Sequence, residues 1–424
     1  MNTNRRDFLK GTAWMGVAAF AAGCCSEGFG FGEGGTMCGY AAPALKRVRV
    51  GVIGLGNRGQ GAVHRLAMIP GVTVAAICDL LPERVARQRT WLKENGKPAA
   101  REFSGENGGR ALCEWDGIDV VYIVTDWANH ARFGLEAMRN GKHAFIEVPS
   151  AMTVDECWEL VETSERTKLH CMQLENCCYG EEELLALNIV RMGLLGEIVH
   201  GEGAYIHDLR HLCYGDAPGD SYWNDWRLKW NMEHKGNQYA THGLGPICQY
   251  MNINRGDAFD FLVSLESRQA SYEDWGLRFK PEGHWKRHAK VEMGNMNTTL
   301  IRTKRGCSIM VQHDVASPRP YTRLNLISGT KGMFQGMPWR IRGGDSNFQV
   351  FLDDLTGQSH VHDFLKGEAR QAFRQKHAHP LWKKVGEIAK KVGGHGGMDF
   401  IMDLRWTYCL QNGLPLDMDV LSIT

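Results

Sequence analysis

The stretch VRVGVIGLGNRGQGAVHRLAMIPGVTVAAICDL, residues 48–80, constrains this chain more than any other. Residues 47–53 read as an apolar strand, and Gly54-x-Gly56-x-x-Gly59 makes a tight turn. Residues 60–68 have helical spacing, and residues 72–78 read as a second strand that Asp79 closes. A lone glycine triplet says little; one set between two strands, with an acid ending the second, specifies dinucleotide binding. The first glycine permits the turn, the second lets backbone approach a pyrophosphate, and the third allows close helix–strand packing. The helix N-terminus attracts the phosphate charge. Gly54, Leu55, Gly56, Asn57, Arg58 and Gly59 are therefore expected at the cofactor. Asp79 stands about 20 residues further on, where an acid accepts hydrogen bonds from a ribose diol. It would repel a 2′-phosphate, which favours NAD over NADP.

Further strand and helix patterns alternate after it. GIDVVYIVT is a buried strand, KHAFIEVP another, and TVDECWELVETSERTK an amphipathic helix that Thr153 can cap. Alternation of this kind implies a doubly wound parallel sheet, a Rossmann domain. Ligands bind beyond the carboxyl ends of such strands. Thr125, Trp127, Glu147 and Val148 fall there, and His130 starts the next helix. Trp127 either packs or stacks on a cofactor ring.

A chain of 424 residues is too long for one typical core. Its net charge of +1 gives no electrostatic reason to expect nucleic acid. The start, NRRDFLKGTAWMGVAAFAAGCC, pairs Arg5 and Arg6 with an apolar run too short to span a bilayer. It reads as a twin-arginine export signal, implying a periplasmic or lipid-anchored protein. AAGC ending at Cys24 resembles a lipoprotein box, and cleavage after Ala44 is the alternative. A Gly-rich tether follows. Residues 1–44 are set outside the fold, 45–168 form the NAD-binding domain, and 169–424 form an α+β domain ending in a helical segment. The cysteines number thirteen, mostly in apolar segments and without metal-site spacing, so buried free thiols are expected and no metal.

The second half changes texture. Alternating runs such as NTTLIRTKRGCSIMVQHDV and RLNLISGTKGMFQG predict a large open, mainly antiparallel sheet whose open face covers the nicotinamide end of the first domain. Seven uncommon motifs stand in order along the chain: GLGNRG, T-x-W-x-x-H from Thr125, E-V-P at Glu147, ENCCY ending at Tyr179, W-R-L-K-W from Trp226, Y-A-T-H-G from Tyr239, and G-G-H-G-G around His395. In these the chain resembles the Gfo/Idh/MocA oxidoreductases, and within them glycoside hydrolase family 109, the NAD-dependent α-N-acetylgalactosaminidases.

That resemblance implies a specific chemistry. Ordinary members of the wider family carry Glu-Lys-Pro where this chain has Glu147-Val148-Pro149. The lysine moves a substrate hydroxyl proton, and valine removes three donors and a charge. Taken alone, Val148 is strand packing; with the other motifs it implies cleavage without net oxidation. Transient oxidation at C3 of a sugar acidifies C2, the C1 substituent is eliminated, water adds, and the hydride returns, so NAD ends as it began. Tyr179 is implied as the C2 base. A phenol of pKa ~10 needs roughly 4 kcal/mol of phenolate stabilisation to serve at pH 7, and otherwise Tyr179 is a core residue. Glu147 and His242 are implied at the C3 hydroxyl, His395 on a mobile glycine loop at the leaving group, and Arg227, Tyr239 and Tyr321 on the sugar. Asn176 is carried over as a cofactor contact. The substrate is expected to be a terminal α-N-acetylgalactosamine glycan, and an exposed sheet face makes a homo-oligomer an expectation. A net sugar oxidoreductase and a non-catalytic binding lipoprotein are the rival readings.

Overall fold

The computed structural model describes residues 36–217, 220–337, 348–353 and 363–422. The expected export signal, with Arg5, Arg6 and Cys24, lies outside them. The first sheet holds β1 (Val48–Ile53), β2 (Val72–Asp79), β3 (Arg101–Ser104), β4 (Val120–Ile123), β5 (His143–Ile146) and β6 (Cys171–Gln173). Their order is β3-β2-β1-β4-β5-β6, and every pairing is parallel. This is the doubly wound order that places a binding crevice where the winding reverses, between β1 and β4. Strands β4 and β5 are buried throughout because helices cover both faces. One of those helices, Val154–Thr167, starts in a capping box: Thr153 accepts from the Glu156 amide while the Glu156 carboxylate accepts from the Thr153 amide.

Two boundaries differ from the sequence reading. The run containing β6 was assigned to the second domain, yet β6 pairs with β5 and completes the first sheet. Its three residues are all buried, so the sheet has no exposed edge there. Residues 36–44, set outside the fold as part of a tether and leader, pack instead on the first domain. Met37 is buried among Ile53, Ile123 and Val420, the Ala42 amide donates to His170 Nε2 at 3.2 Å, and the Leu45 amide donates to the Leu410 carbonyl.

The second sheet holds β7 (Ile198–Ile206), β8 (Phe259–Glu266), β9 (Asn297–Thr303), β10 (Ser308–Asp314), β11 (Leu326–Gly329), β12 (Gly332–Gln335) and β13 (Gln349–Leu352). Its order is β13-β12-β11-β7-β10-β9-β8, antiparallel except where β7 meets β10. The helix Thr241–Tyr250 lies on one face. A Cβ added to Gly203 of β7 would sit 2.2 Å from the Gly243 carbonyl oxygen, so only glycine at this crossing lets helix and strand touch backbone to backbone. That covered face turns toward the first domain, whereas the open face was expected to do so. The opposite face is bare at the β8 edge, where Phe261, Val263 and Leu265, with Leu300 of β9, are exposed. A third contribution comes from the helix Met398–Asn412, which is buried along most of its length and packs into one core with β1 and the inner face of β10. All eleven cysteines among the described residues are free thiols.

Candidate active site

The turn after β1 is closed by its glycines. Gly54 has φ +95°, and a Cβ there would lie 2.4 Å from the Val124 carbonyl oxygen. A Cβ on Gly59 would lie 1.8 Å from the Gly54 carbonyl oxygen. Backbone is thus bared along the turn, and the helix Gly59–Leu66 begins at its end, the cradle a pyrophosphate requires. Asp79, at the end of β2, accepts from the Leu55 amide at 2.6 Å and from the Leu81 amide at 3.0 Å. Each carboxylate oxygen keeps a further lone pair for a ribose hydroxyl. Thr125 follows β4 beside Gly54, completing that rim.

Arg58, in the same turn, gathers the next group. Its Nη2 donates to Glu147 Oε1 at 2.7 Å, and its Nη1 reaches Asp399 Oδ2 at 2.8 Å and His395 Nδ1 at 2.9 Å. Asp399 is fully buried at the start of the Met398–Asn412 helix and also takes a hydrogen bond from Asn176 Nδ2. Burial opposes its ionisation, but Arg58, His395 and Arg65 outweigh it and hold the carboxyl well below the usual range. His395 is half-exposed beside this cluster, with Nδ1 3.0 Å from Asp399 Oδ2. Its glycine neighbours 393, 394, 396 and 397 all have positive φ, so they build a double turn that presents the imidazole.

The second group lies across from it. His242 Nδ1 is 2.8 and 2.9 Å from the two oxygens of Glu175, and its Nε2 is 3.4 Å from the Tyr239 hydroxyl. Around it stands an aromatic cage. Tyr239 stacks on Trp127 at 5.7 Å, and Tyr205 meets the Tyr239 ring at 4.9 Å and the His242 ring edge-on at 5.1 Å. Tyr321 meets His207 edge-on, and the Tyr205 hydroxyl and His207 Nδ1 are 2.9 Å apart. Burial, then Arg227, pushes His207 down to about 4, so its ring is neutral. Arg227 is buried with its guanidinium 4.8 Å from the Trp127 ring centre; Nη1 donates to the Tyr222 hydroxyl, and Nε and Nη2 have no hydrogen-bond partner. A buried cation with idle donors is costly without a ligand, which marks this cage as a recognition site.

Consecutive residues join the two groups. After β6 the chain turns, Glu175 reaching His242 and Asn176 reaching Asp399. Glu147, His242, His395, Arg227, Tyr239, Tyr321 and Asn176 are thus brought together around this turn. Two residues are not. Tyr179, expected as the C2 base, ends the same turn, but its hydroxyl points away to Asp417 Oδ2 at 3.3 Å. Burial, then Asp417, pushes the phenol well above its ordinary value, the opposite of what a base needs. His130, expected at the cofactor, is buried, and its nitrogens meet the carbonyls of Pro149 and Thr125, bracing two strand ends. Trp127 is buried as a wall of the cage, against Tyr239, Trp226 and Arg227. Val148 is buried and offers no polar group. Sequence reasoning missed Glu175, Tyr205, Asp399 and, as a site residue, His207. The motif ENCCY contains Glu175, but nothing in its spacing announces a partner 67 residues away.

Glu175, Cys177 and His242 are three metal-ligand types in contact. Both carboxylate oxygens are engaged by the imidazole, and burial holds the thiol far above its ordinary value, so the trio reads as a carboxylate–imidazole pair. A cleft of about 520 Å³, lined by residues including Glu182, Arg323, Arg374 and Lys390, meets the site at His395 and Gly396.

A family model described as the C-terminal domain of glycosyl hydrolase 109 matches residues 179–424, and one for the NAD-binding Rossmann fold of an oxidoreductase family matches residues 48–174. A "Glycosyl hydrolase family 109 protein" of Porphyromonas gingivalis is 45% identical over 385 residues, 90% of this chain and 80% of that one. Its counterpart in Solibacter usitatus is 42% identical over 421 residues, 99% of this chain and 90% of that one. Among solved structures, levoglucosan dehydrogenase in complex with NADH and levoglucosan superposes with a TM-score of 0.65 at 19% identity, covering 89% of this chain and 93% of that one. The first domain binds NAD, and the chain belongs to glycosyl hydrolase family 109.

Proposed function

We propose that the chain is an exported glycosidase releasing terminal α-N-acetylgalactosamine without net oxidation. The observation that carries this reading is at position 148: where a dehydrogenase of the wider family supplies lysine, this chain buries a valine. Proton transfer must then come from the cage, where His242 turns Nε2 toward the Tyr239 hydroxyl. The residues fit NAD, with the Gly54–Gly59 turn and Asp79 to hold it. When bound, NAD⁺ supplies reversible oxidation at C3, which acidifies C2 and permits loss of the C1 substituent.

The chain's own groups do the rest. Idle Nε and Nη2 donors of Arg227 bind sugar oxygens, and the aromatic walls exclude water. In place of Tyr179 we assign the C2 proton to the Tyr205–His207 pair: burial raises this phenol too, with Arg227 partly offsetting it, but its hydroxyl proton can pass to the neutral His207 ring as the oxygen takes up the C2 proton. His395, held by Asp399 at Nδ1, offers Nε2 to the leaving oxygen and afterwards to water. The test is a panel of aryl α- and β-glycosides without added NAD, run in D₂O. Cleavage of the α-N-acetylgalactosaminide with deuterium at C2 of the product is expected. Cleavage without deuterium, or survival of cleavage after the nucleotide is stripped, would overturn the mechanism. Steady NADH production from free sugar and excess NAD⁺ would instead mark a net oxidoreductase.

A further inference from the structure

We propose that Glu175 is the positioning residue that makes His242 the acceptor of the substrate's hydroxyl proton, leaving Glu147 to the cofactor side. The proposal rests on the reading that a sugar enters the cage, and deepens it. Glu175 is completely buried, and one of its oxygens also accepts from the Cys177 amide at 2.8 Å, so the carboxylate cannot swing away. Both oxygens face His242 Nδ1. A carboxylate only accepts, so Nδ1 carries the hydrogen and the lone pair of the neutral ring stands at Nε2. The backbone contact of Gly203 with Gly243 pins the helix next to His242, and Tyr205 closes on the ring's edge. The charged and titratable groups facing the imidazole are Glu175 and the Cys177 thiol on one side and Tyr239 and Tyr205 on the other, with Arg227 and His207 behind those rings.

Glu147 is placed otherwise. Its Oε1 is already engaged by Arg58 at 2.7 Å, which ties the carboxylate to the glycine turn rather than to the cage. Through Arg58 it is linked to Asp399 and to the His395 loop. The assigned step would balance with NAD⁺ held by the Gly54–Gly59 turn and Asp79 as the two-electron oxidant: the hydroxyl proton would pass to His242 Nε2, the O–H electron pair would form the carbonyl, and the cofactor would take up the hydride from that carbon. The imidazolium so formed sits against the Glu175 carboxylate, and return of the hydride reverses each transfer.

Glu175→Gln, His242→Ala and their double variant test this in the NAD-bound enzyme, with NAD titration and circular dichroism confirming the fold. Glu175→Gln is expected to lower kcat by about 10- to 100-fold, the range for residues that orient a functional imidazole, with KM unchanged within about twofold. In the His242→Ala background the same change should cost almost nothing further, because residues acting as a unit are not additive. Glu175→Asp should restore part of the rate. A low-field proton resonance from imidazole Nδ1–H is expected in the wild type and lost in both single variants. Unchanged kcat, multiplying losses in the double variant, or absence of that resonance from the wild type would overturn the proposal. If Glu175→Gln does not fold, Glu175→Asp and the resonance decide. Should the wild type form NADH from sugars and cleave no glycoside, the glycosidase reading fails, and the same variants are then scored on NADH formation.

Discussion

Arg227 shows how one side chain defines what a site wants. Its charge is buried with ring faces on three sides and, among the described residues, no carboxylate bonded to it, so the idle Nε and Nη2 wait for ligand oxygens. Hydrogen bonds to a charged group contribute about 1.5–3 kcal/mol. Arg227→Met is therefore expected to raise KM for the glycoside about 10- to 100-fold, with a smaller effect on kcat, in steady-state kinetics. Tyr179 gives the opposite lesson. Its motif marked it as a base, but the last turn of ENCCY rotates its hydroxyl into a pocket made by Asp417, which is itself held by Arg405. Tyr179→Phe should cost about 1 kcal/mol of stability in urea unfolding and leave cleavage intact. Tyr205→Phe should do the reverse, abolishing deuterium uptake at C2 while folding survives. Residue types along a chain told which chemistry was present; which way each side chain points was set by contacts far apart in sequence, such as Glu175 with His242.

At the scale of elements, two joints carry the load. Helix Thr241–Tyr250 holds His242 only because Gly203 and Gly243 meet without side chains. Gly203→Ala should cost about 1–3 kcal/mol as the helix is pushed off the strand, with kcat falling in the same variant. The other joint is a pair of buried imidazoles. The His170 amide donates to His143 Nδ1, and His170 Nε2 accepts from the Ala42 amide, tying residues 36–45 to β5 and β6. Burial pushes His143 down to about 4 and His170, also facing His143, to about 3. Their folded values lie below the unfolded one, so the unfolded chain binds protons first as the pH falls. Stability from these rings is complete above pH ~6.5 and lost progressively toward pH 4, on the order of 3 kcal/mol for each ring at most. Melting temperature measured from pH 7 to 4 should fall steeply, and more gently in His143→Phe if that variant folds. The repeating strand and helix patterns of the first domain were legible because each element buries a regular stripe. The short β6 was not, since three residues carry no period and only its neighbour β5 reveals its sheet.

Across the whole molecule the helix Met398–Asn412 is what makes two domains one body. Arg65, on the first helix of the cofactor domain, pairs with Asp403 at 2.8 Å, and the Tyr122 hydroxyl of β4 donates to the same carboxylate. Asp403→Asn leaves a buried guanidinium short of its partner, and breaking such a pair costs about 3–5 kcal/mol. Calorimetry should then show the single unfolding transition moved to lower temperature or split into two. Nothing local in residues 398–412 announces that role, because a helix buried on all sides has no amphipathic stripe to read.

Met37 and Val420 occupy the same hydrophobic cluster as Ile53, Ile123 and Ile146. Residues far apart in the chain thus line one interior, and the nucleotide half is not sealed until the segment around Val420 has been made. The order of translation is therefore not the order of assembly.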